Sequence, residues 1–254
     1  MVILTYHRLF REDRSESESN LSESFYAISE VVFGNNLKYL REQNFKTVLL
    51  EEFLDGSTEA DQQSVILTFD DGQISDFEIA LPLLVRYGFR AVFFICVEFI
   101  GKDGYMNWAE INALAAAGMS IQCHGLLHRD YSLLPQDEAM HELLAAKRCL
   151  QRNLGREIAY LALPGGFASA SAYAAGLAAG FQAICNSEQA IASTERILKR
   201  FVLRRGTSQA EFEGLVDQDW KQLWASSIVR ASTAALKSAI GGERYELVKQ
   251  RLWR

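Results

Sequence analysis

The sequence predicts an α/β protein in which strands alternate with helices, as an α/β barrel or a doubly wound sheet. Three observations carry this. Short apolar runs rich in β-branched residues alternate with helical patterns along most of the chain. The 254 residues, 49% of them hydrophobic, suffice for a sizeable core. The polar residues best suited to chemistry, Asp70, Asp71, His124 and the turn at Pro164, each fall just after a predicted strand. An α/β barrel gathers such positions at one end.

Taken in order, Val2 to Tyr6 reads as the first strand, and a polar, Ser- and Glu-rich loop follows over 11–24. From Ser29 to Gln43 the spacing is helical, with Val32, Asn36, Tyr39 and Leu40 near one face. Thr47 to Leu50 is a short strand, and Val65-Ile66-Leu67 carries the next one. Gly72 permits a sharp turn, and Gly88 stops a helix over 76–87. A strand over 91–97 precedes a helix over 107–117 with Gly118 as its cap, then a strand from Ser120 to Cys123 leads into His124. Pro135 suits the first turn of a helix reaching Leu154. Tyr160 to Leu163 is a strand into Pro164-Gly165-Gly166, followed by a helix over 169–179, strands over 182–185 and 199–203, and a helix over 209–217. The expected organisation is one domain over 1–218 and a helical extension over 219–254. The extension interleaves Lys221, Arg230, Lys237 and Arg244 with Leu223, Trp224, Ile228 and Leu236. Such a helix packs on the domain with a solvated basic face, the simpler reading, or lies on an anionic membrane surface.

The balance of 26 basic against 32 acidic residues gives a net charge of -6, which disfavours nucleic acid as a partner. Cys96, Cys123, Cys149 and Cys185 form no C-x-x-C pair and are expected as reduced thiols. The N-terminus lacks the basic region of a signal peptide, and no run of about 18 apolar residues occurs. A cytoplasmic protein is therefore expected.

Asp70 and Asp71 stand side by side at a strand end, where one carboxylate can ligate a metal while the other takes a proton. His124 and His128 are spaced i, i+4, so on one face of a helical turn both rings can point at one ion. Two histidines and one carboxylate leave coordination positions open, the layout of a catalytic centre. Alone, the histidine pair is a weak signal, more often read as two polar loop residues. The aspartate pair makes ligation the better reading. Zinc suits this donor set, as do Co, Ni, Mn and Fe.

Thr68-Phe69-Asp70-Asp71-Gly72 followed by His124-x3-His128 resembles the polysaccharide deacetylase family, carbohydrate esterase family 4 with its NodB homology domain. Ala80-Leu81-Pro82-Leu83-Leu84, Ala91-Val92-Phe93-Phe94, Met106-Asn107-Trp108 and Leu163-Pro164-Gly165-Gly166 extend the resemblance over roughly 2–215. It implies a distorted (β/α) barrel of about seven parallel strands. It implies Asp70 as general base and Asp71, His124 and His128 as ligands of a divalent metal. The implied reaction is hydrolysis of an N-acetyl, less often O-acetyl, group on a sugar or glycan, with exopolysaccharide or surface polysaccharide biosynthesis as the expected setting. A lipid-linked saccharide is a compatible substrate. A non-sugar amide substrate, or an inactive glycan-binding relative, are the alternatives.

The chain departs from the family pattern in four places. Gly125 stands where Ser or Thr is usual, and Arg129 where Pro is usual. The third motif's base-orienting Arg is missing near Ala162, so Arg200, Arg204 or Arg205 must supply that cation if anything does. No histidine follows His141, itself expected on a helix surface, so the family's late general acid has no counterpart. His7 follows the first strand directly and in a barrel reaches the face of Asp70, which makes it the candidate to protonate the leaving amine. A hydrogen-bonded histidine closing the barrel end is the alternative. Pro164, Gly165, Trp108 and Arg204 are candidates for substrate or oxyanion contact, with Tyr105 a possible companion of Trp108 in a sugar platform. Cys123, Phe93, Phe94 and Phe99 read as core, Asp103 as a solvated loop acid and Asp76 as a helix N-terminal acid.

Overall fold

The computed structural model describes residues 1–12, 25–58, 61–166, 169–187 and 196–219. Most of the polar loop expected over 11–24 and, apart from Asp219, the expected extension over 219–254 lie outside these residues. The chain divides into two units, Met1–Thr207 and Ser208–Arg254. In the second, the described element is the helix Gln209–Val216, whose cap Ser208 accepts from the Glu211 N–H while the Glu211 carboxylate accepts from the Ser208 N–H.

The first unit is built on parallel strands β1 (Val2–Tyr6), β2 (Leu9–Phe10), β3 (Ile28–Ser29), β4 (Lys46–Thr47), β5 (Ser64–Phe69), β6 (Val92–Ile95), β7 (Ser120–Cys123), β8 (Tyr160–Ala162), β9 (Ala183–Asn186), β10 (Ile197–Lys199) and β11 (Phe201–Val202). The main sheet runs β10-β9-β8-β7-β6-β5-β1-β11, with β4 attached beside β5, and β2 pairs with β3 separately. β10 and β11 are separated by Arg200 alone yet stand at opposite ends of this order. They are two halves of one strand. The first half pairs with β9 through Ile197–Lys199, and the second pairs with β1 through Phe201 and Val202. Counted so, the barrel has seven strands and closes through the chain itself at Arg200, as the sequence resemblance implied.

Helices α1 (Glu30–Glu42), α2 (Leu50–Leu54), α3 (Leu81–Tyr87), α4 (Trp108–Ala116), α5 (Gln136–Leu154) and α6 (Ala170–Ala178) occur between the strands. Ser29, Asn107 and Ser169 cap α1, α4 and α6 with side-chain oxygens. Three local expectations change. The buried face of α1 is Phe33, Asn36, Leu37 and Leu40, with Val32 left exposed. The strand expected over 47–50 ends at Thr47, and Leu50 already opens α2. The helix after Gly72 begins with one π turn, Asp76–Ala80, before α3.

Side chains alternate across each strand. Ile3, Ile66, Val92, Phe94, Tyr160, Ala162, Ala183, Cys185 and Leu198 form the barrel interior, joined by Val48, Leu49 and Leu50. The opposite parity of β1, β5 and β6, namely Tyr6, Phe69 and Phe93, stacks ring on ring at centroid distances of 5.2 and 4.8 Å. Extending the inward parity past the strand ends reaches His7, Asp70, His124 and, at the split strand, Arg200. The strand period thus delivers four polar side chains to one end of the interior. Among the described residues no helix is long and apolar enough to cross a membrane.

Candidate active site

β5 ends at Phe69, and the Asp70 N–H donates to the Tyr6 carbonyl, which holds the first acid level with the end of β1. Asp71 then takes a left-handed backbone, φ 75°, followed by Gly72 at φ 80°. A Cβ on Gly72 would lie 3.1 Å from Ile95, so the turn also needs the missing side chain. The segment 101–106 braces it: Met106 N–H donates to Gly72 O, and Ile74 N–H to Gly104 O. The reversal in hand at Asp71 separates the two carboxylates and sends them to different partners.

Asp70 goes to Arg200. Arg200 Nη1 and Nη2 donate to its two carboxylate oxygens at 2.7 Å each, and both side chains are buried. Two further guanidinium donors are used as well, Nη1 also toward Thr68 Oγ1 at 3.3 Å and Nε toward Asn186 O at 3.4 Å, with the cation over the Phe94 ring. Burial alone would push the Asp70 carboxyl up, but Arg200 and His124 offset it, and its pKa lies below the usual 3.8. Of the three candidate arginines, Arg200 is the one that pairs with Asp70. Arg204 instead lies over the Phe25 ring, and Arg205 over Phe10.

Asp71 goes to the histidines. His124 Nε2 and His128 Nε2 lie 3.2 and 3.1 Å from Asp71 Oδ1. That buried oxygen has no partner in hydrogen-bond alignment. Two ring nitrogens and an orphaned carboxylate oxygen so converge on one point, with spacings close to the edge of about 3.3 Å expected of tetrahedral ligands at zinc bond lengths. Among the described residues this is the cluster able to hold a metal ion. His124 Nδ1 donates to Ala162 O at 2.9 Å, which leaves Nε2 as the ligand atom. The end of β8, the position of the family's third-motif Arg, thus orients a histidine. Burial opposes ionisation of Asp71, but its histidine neighbours more than offset this and hold it as a carboxylate well below the usual range.

The histidine spacing works differently from the helical turn expected. Residues 124–128 form a loop, with left-handed backbone at Gly125, φ 86°, and at His128, φ 54°. Two of the four non-glycine residues with positive φ among the described residues are therefore proposed metal ligands, a placement of backbone strain that is typical of functional sites. Gly125 is required twice over, because a Cβ there would meet Tyr131 Oη at 2.6 Å. Arg129 pairs with Glu138 and Glu142.

His7 sits beside this centre. Its ring stacks on Tyr26 at 4.9 Å, and its buried Nδ1 has no hydrogen-bond partner. Burial lowers its pKa below 6.5 against the pull of Asp70 and Asp71, so the resting imidazole is neutral. Phe99, expected in the core, is half-buried and packs against His128 at 5.4 Å and Tyr105 at 4.5 Å. Tyr105 is thereby tied to the metal cluster, whereas Trp108 is a half-buried residue opening α4. Pro164 is buried and Gly165 is exposed in a turn at φ 74° just after β8. Asp76, at the start of the π turn, is fully buried with both oxygens unpartnered. Burial, then Asp71 and Asp70, raise its pKa well above the usual value and keep it protonated. The helix-terminal position of Asp76 was legible in the sequence, but its burial was not.

Burial lowers the His124 pKa, but Asp70 and Asp71 raise it more, to a net value above 6.5. A cation must then displace a proton from His124, so apparent Zn2+ affinity is expected to fall as pH drops from 8 to 6. Competition titration at pH 6, 7 and 8 checks this, and a flat profile contradicts it.

Barrel and site together fit the class of hydrolases that work with a bound divalent cation. The model of the polysaccharide deacetylase family matches residues 57–184, half of the chain, and the chain belongs to that family, hydrolases acting on carbon–nitrogen bonds other than peptide bonds. YxkH of Bacillus subtilis (strain 168), provisionally named a polysaccharide deacetylase, is 22% identical over 191 residues, 73% of this chain and 68% of that protein. The poly-beta-1,6-N-acetyl-D-glucosamine N-deacetylase of Staphylococcus aureus is 26% identical over 113 residues, 42% of this chain and only 39% of that enzyme. The deacetylase PplD of Streptococcus pyogenes, solved with acetate, has the same fold, with a TM-score of 0.74 and 22% identity over 85% of this chain and 96% of that one.

Proposed function

We propose that this chain removes acetyl groups from an N-acetylated amino-sugar polymer or its precursor, using a divalent cation held by Asp71, His124 and His128. The observation that carries the reading is the division of labour within the aspartate pair. Asp71 points at both imidazoles, while Asp70, one residue earlier, is kept off that point by Arg200. Zinc is the cation favoured by the donor set. When bound, it polarises the acetyl carbonyl and lowers the pKa of an adjacent water. Asp70 takes that water's proton, and Arg200 fixes the direction in which its carboxylate faces. His7, next to Asp70 across β1 and β5 and neutral at rest, takes up that proton and passes it to the departing nitrogen. The exposed turn at Gly165, closed by Pro164, offers backbone N–H to the developing oxyanion. Trp108 and Arg204 are assigned to the substrate farther from the reacting carbonyl. The staphylococcal relative's name supports an exopolysaccharide of N-acetylglucosamine type as substrate. In its finer form the proposal includes action in the cytoplasm on a lipid-linked precursor, which cell fractionation tests.

Acetate release from a panel of N-acetylated amino-sugar oligomers is the deciding assay. Release that chelation abolishes and Zn2+ restores is expected. Bound metal with no release from any sugar would turn the reading toward a non-sugar amide or a glycan-binding relative. His7→Gln is expected to lower turnover about 100-fold or more with metal still bound; unchanged turnover removes His7 from the mechanism.

A further inference from the structure

The loop between the two histidines is gripped from both sides. Its carbonyls face main chain: Val97 N–H donates to Gly125 O, and Glu98 N–H to Leu126 O. Its amides face side chains. Leu126 N–H donates to Tyr131 Oη at 3.2 Å, and Leu127 N–H to Glu142 Oε1 at 3.3 Å. Tyr131 Oη in turn donates to the same Glu142 oxygen at 2.8 Å. Glu142 reaches the loop from α5, is itself buried, and is neutralised by Arg129 at 3.3 Å on its other oxygen. Gly125 lies against the Tyr131 ring with no room for a side chain.

These contacts replace the hydrogen bonds that a helical turn would have provided. His124 is fixed independently, at the end of β7 and by Ala162 O. His128 is not so placed: its ring is one-third exposed (34%), its backbone is left-handed, and it ends the gripped loop. We propose that Tyr131 and Glu142 are positioning residues that set His128 on the point defined by Asp71 and His124. The inference rests on reading those three residues as metal ligands. A carboxylate and a phenol far from the reacting atoms thereby control how tightly the cation is held.

Zn2+ affinity of the metal-free full chain, measured by competition with a chromophoric chelator, and the visible spectrum of the Co2+ form test this without reference to turnover. Tyr131→Phe and Glu142→Gln are expected to weaken Zn2+ binding about tenfold, the lower range for loss of an outer-shell partner. Their Co2+ bands should move toward those of His128→Ala. Glu142→Gln keeps an acceptor oxygen and should stay closer to the parent than Glu142→Ala. Glu52→Ala is the control: it removes hydrogen bonds to Leu49 N–H and Arg90 at α2 and should lower thermal stability with Zn2+ affinity intact. Parent-like affinity and spectrum in both Tyr131→Phe and Glu142→Gln overturn the proposal, as does an equal loss of affinity in Glu52→Ala. If the parent chain itself binds no Zn2+, the ligand reading fails first and this proposal falls with it.

Discussion

Arg200→Met is expected to cost the protein about 3–5 kcal/mol of stability, because it strands the Asp70 carboxylate in the barrel interior without its partner. Thr68 and Asn186 O lose a donor at the same time. Urea denaturation measures the loss. The second half of the expectation separates this from a simple packing defect. Pairing Arg200→Met with Asp70→Leu should recover much of the stability, since removing both members of a buried ion pair is far less damaging than removing one. A double variant as unstable as the single one would show that Arg200 acts through packing against Phe94 rather than through Asp70. The surviving protein, stable or not, is expected to lack turnover.

Asp70→Asn is expected to lower acetate release by about 10²–10⁴-fold while leaving Zn2+ affinity nearly unchanged, because it removes a proton acceptor and keeps the three converging ligand atoms. Asp71→Asn should do the opposite and lose the metal. If Asp70→Asn loses metal and activity together, the division of roles between the two acids is wrong. The pH profile gives an independent reading. The Asp70 pKa is depressed, so the base stays ionised to lower pH than an ordinary carboxylate. Activity should therefore not decline on its account until pH falls below 3.8, and a loss nearer neutrality is expected from protonation of His124.

Much of this centre was legible in the sequence. Positions just past strand ends put Asp70, Asp71 and His124, with His7, at one end of a barrel, and the structure brings them together there. Arg200 was legible only as one of three arginines. Arg200 and Arg204 share the same strand parity, so alternation cannot separate them. What separates them is depth: Arg200 lies within the split strand and is fully buried, whereas Arg204 lies beyond its end. The histidine loop was misread because the i, i+4 spacing also fits a left-handed loop, and Gly125 was the available signal. Glu142 and Tyr131 gave no signal, since their role depends on α5 and the loop meeting in space across elements distant in sequence. The buried, protonated Asp76 escaped for the same reason.

The join between β10 and β11 bears on how such a protein could lose its activity over time. In many enzymes a catalytic side chain can drift while the scaffold endures, and an inert copy remains. Here the residue paired with the proposed base is also the residue at which the barrel closes. A lineage that changed Arg200 alone would weaken the scaffold along with the proposed chemistry. Descent into a silent binding protein would have to replace Arg200 and Asp70 together, since removing one alone strands the other in the interior.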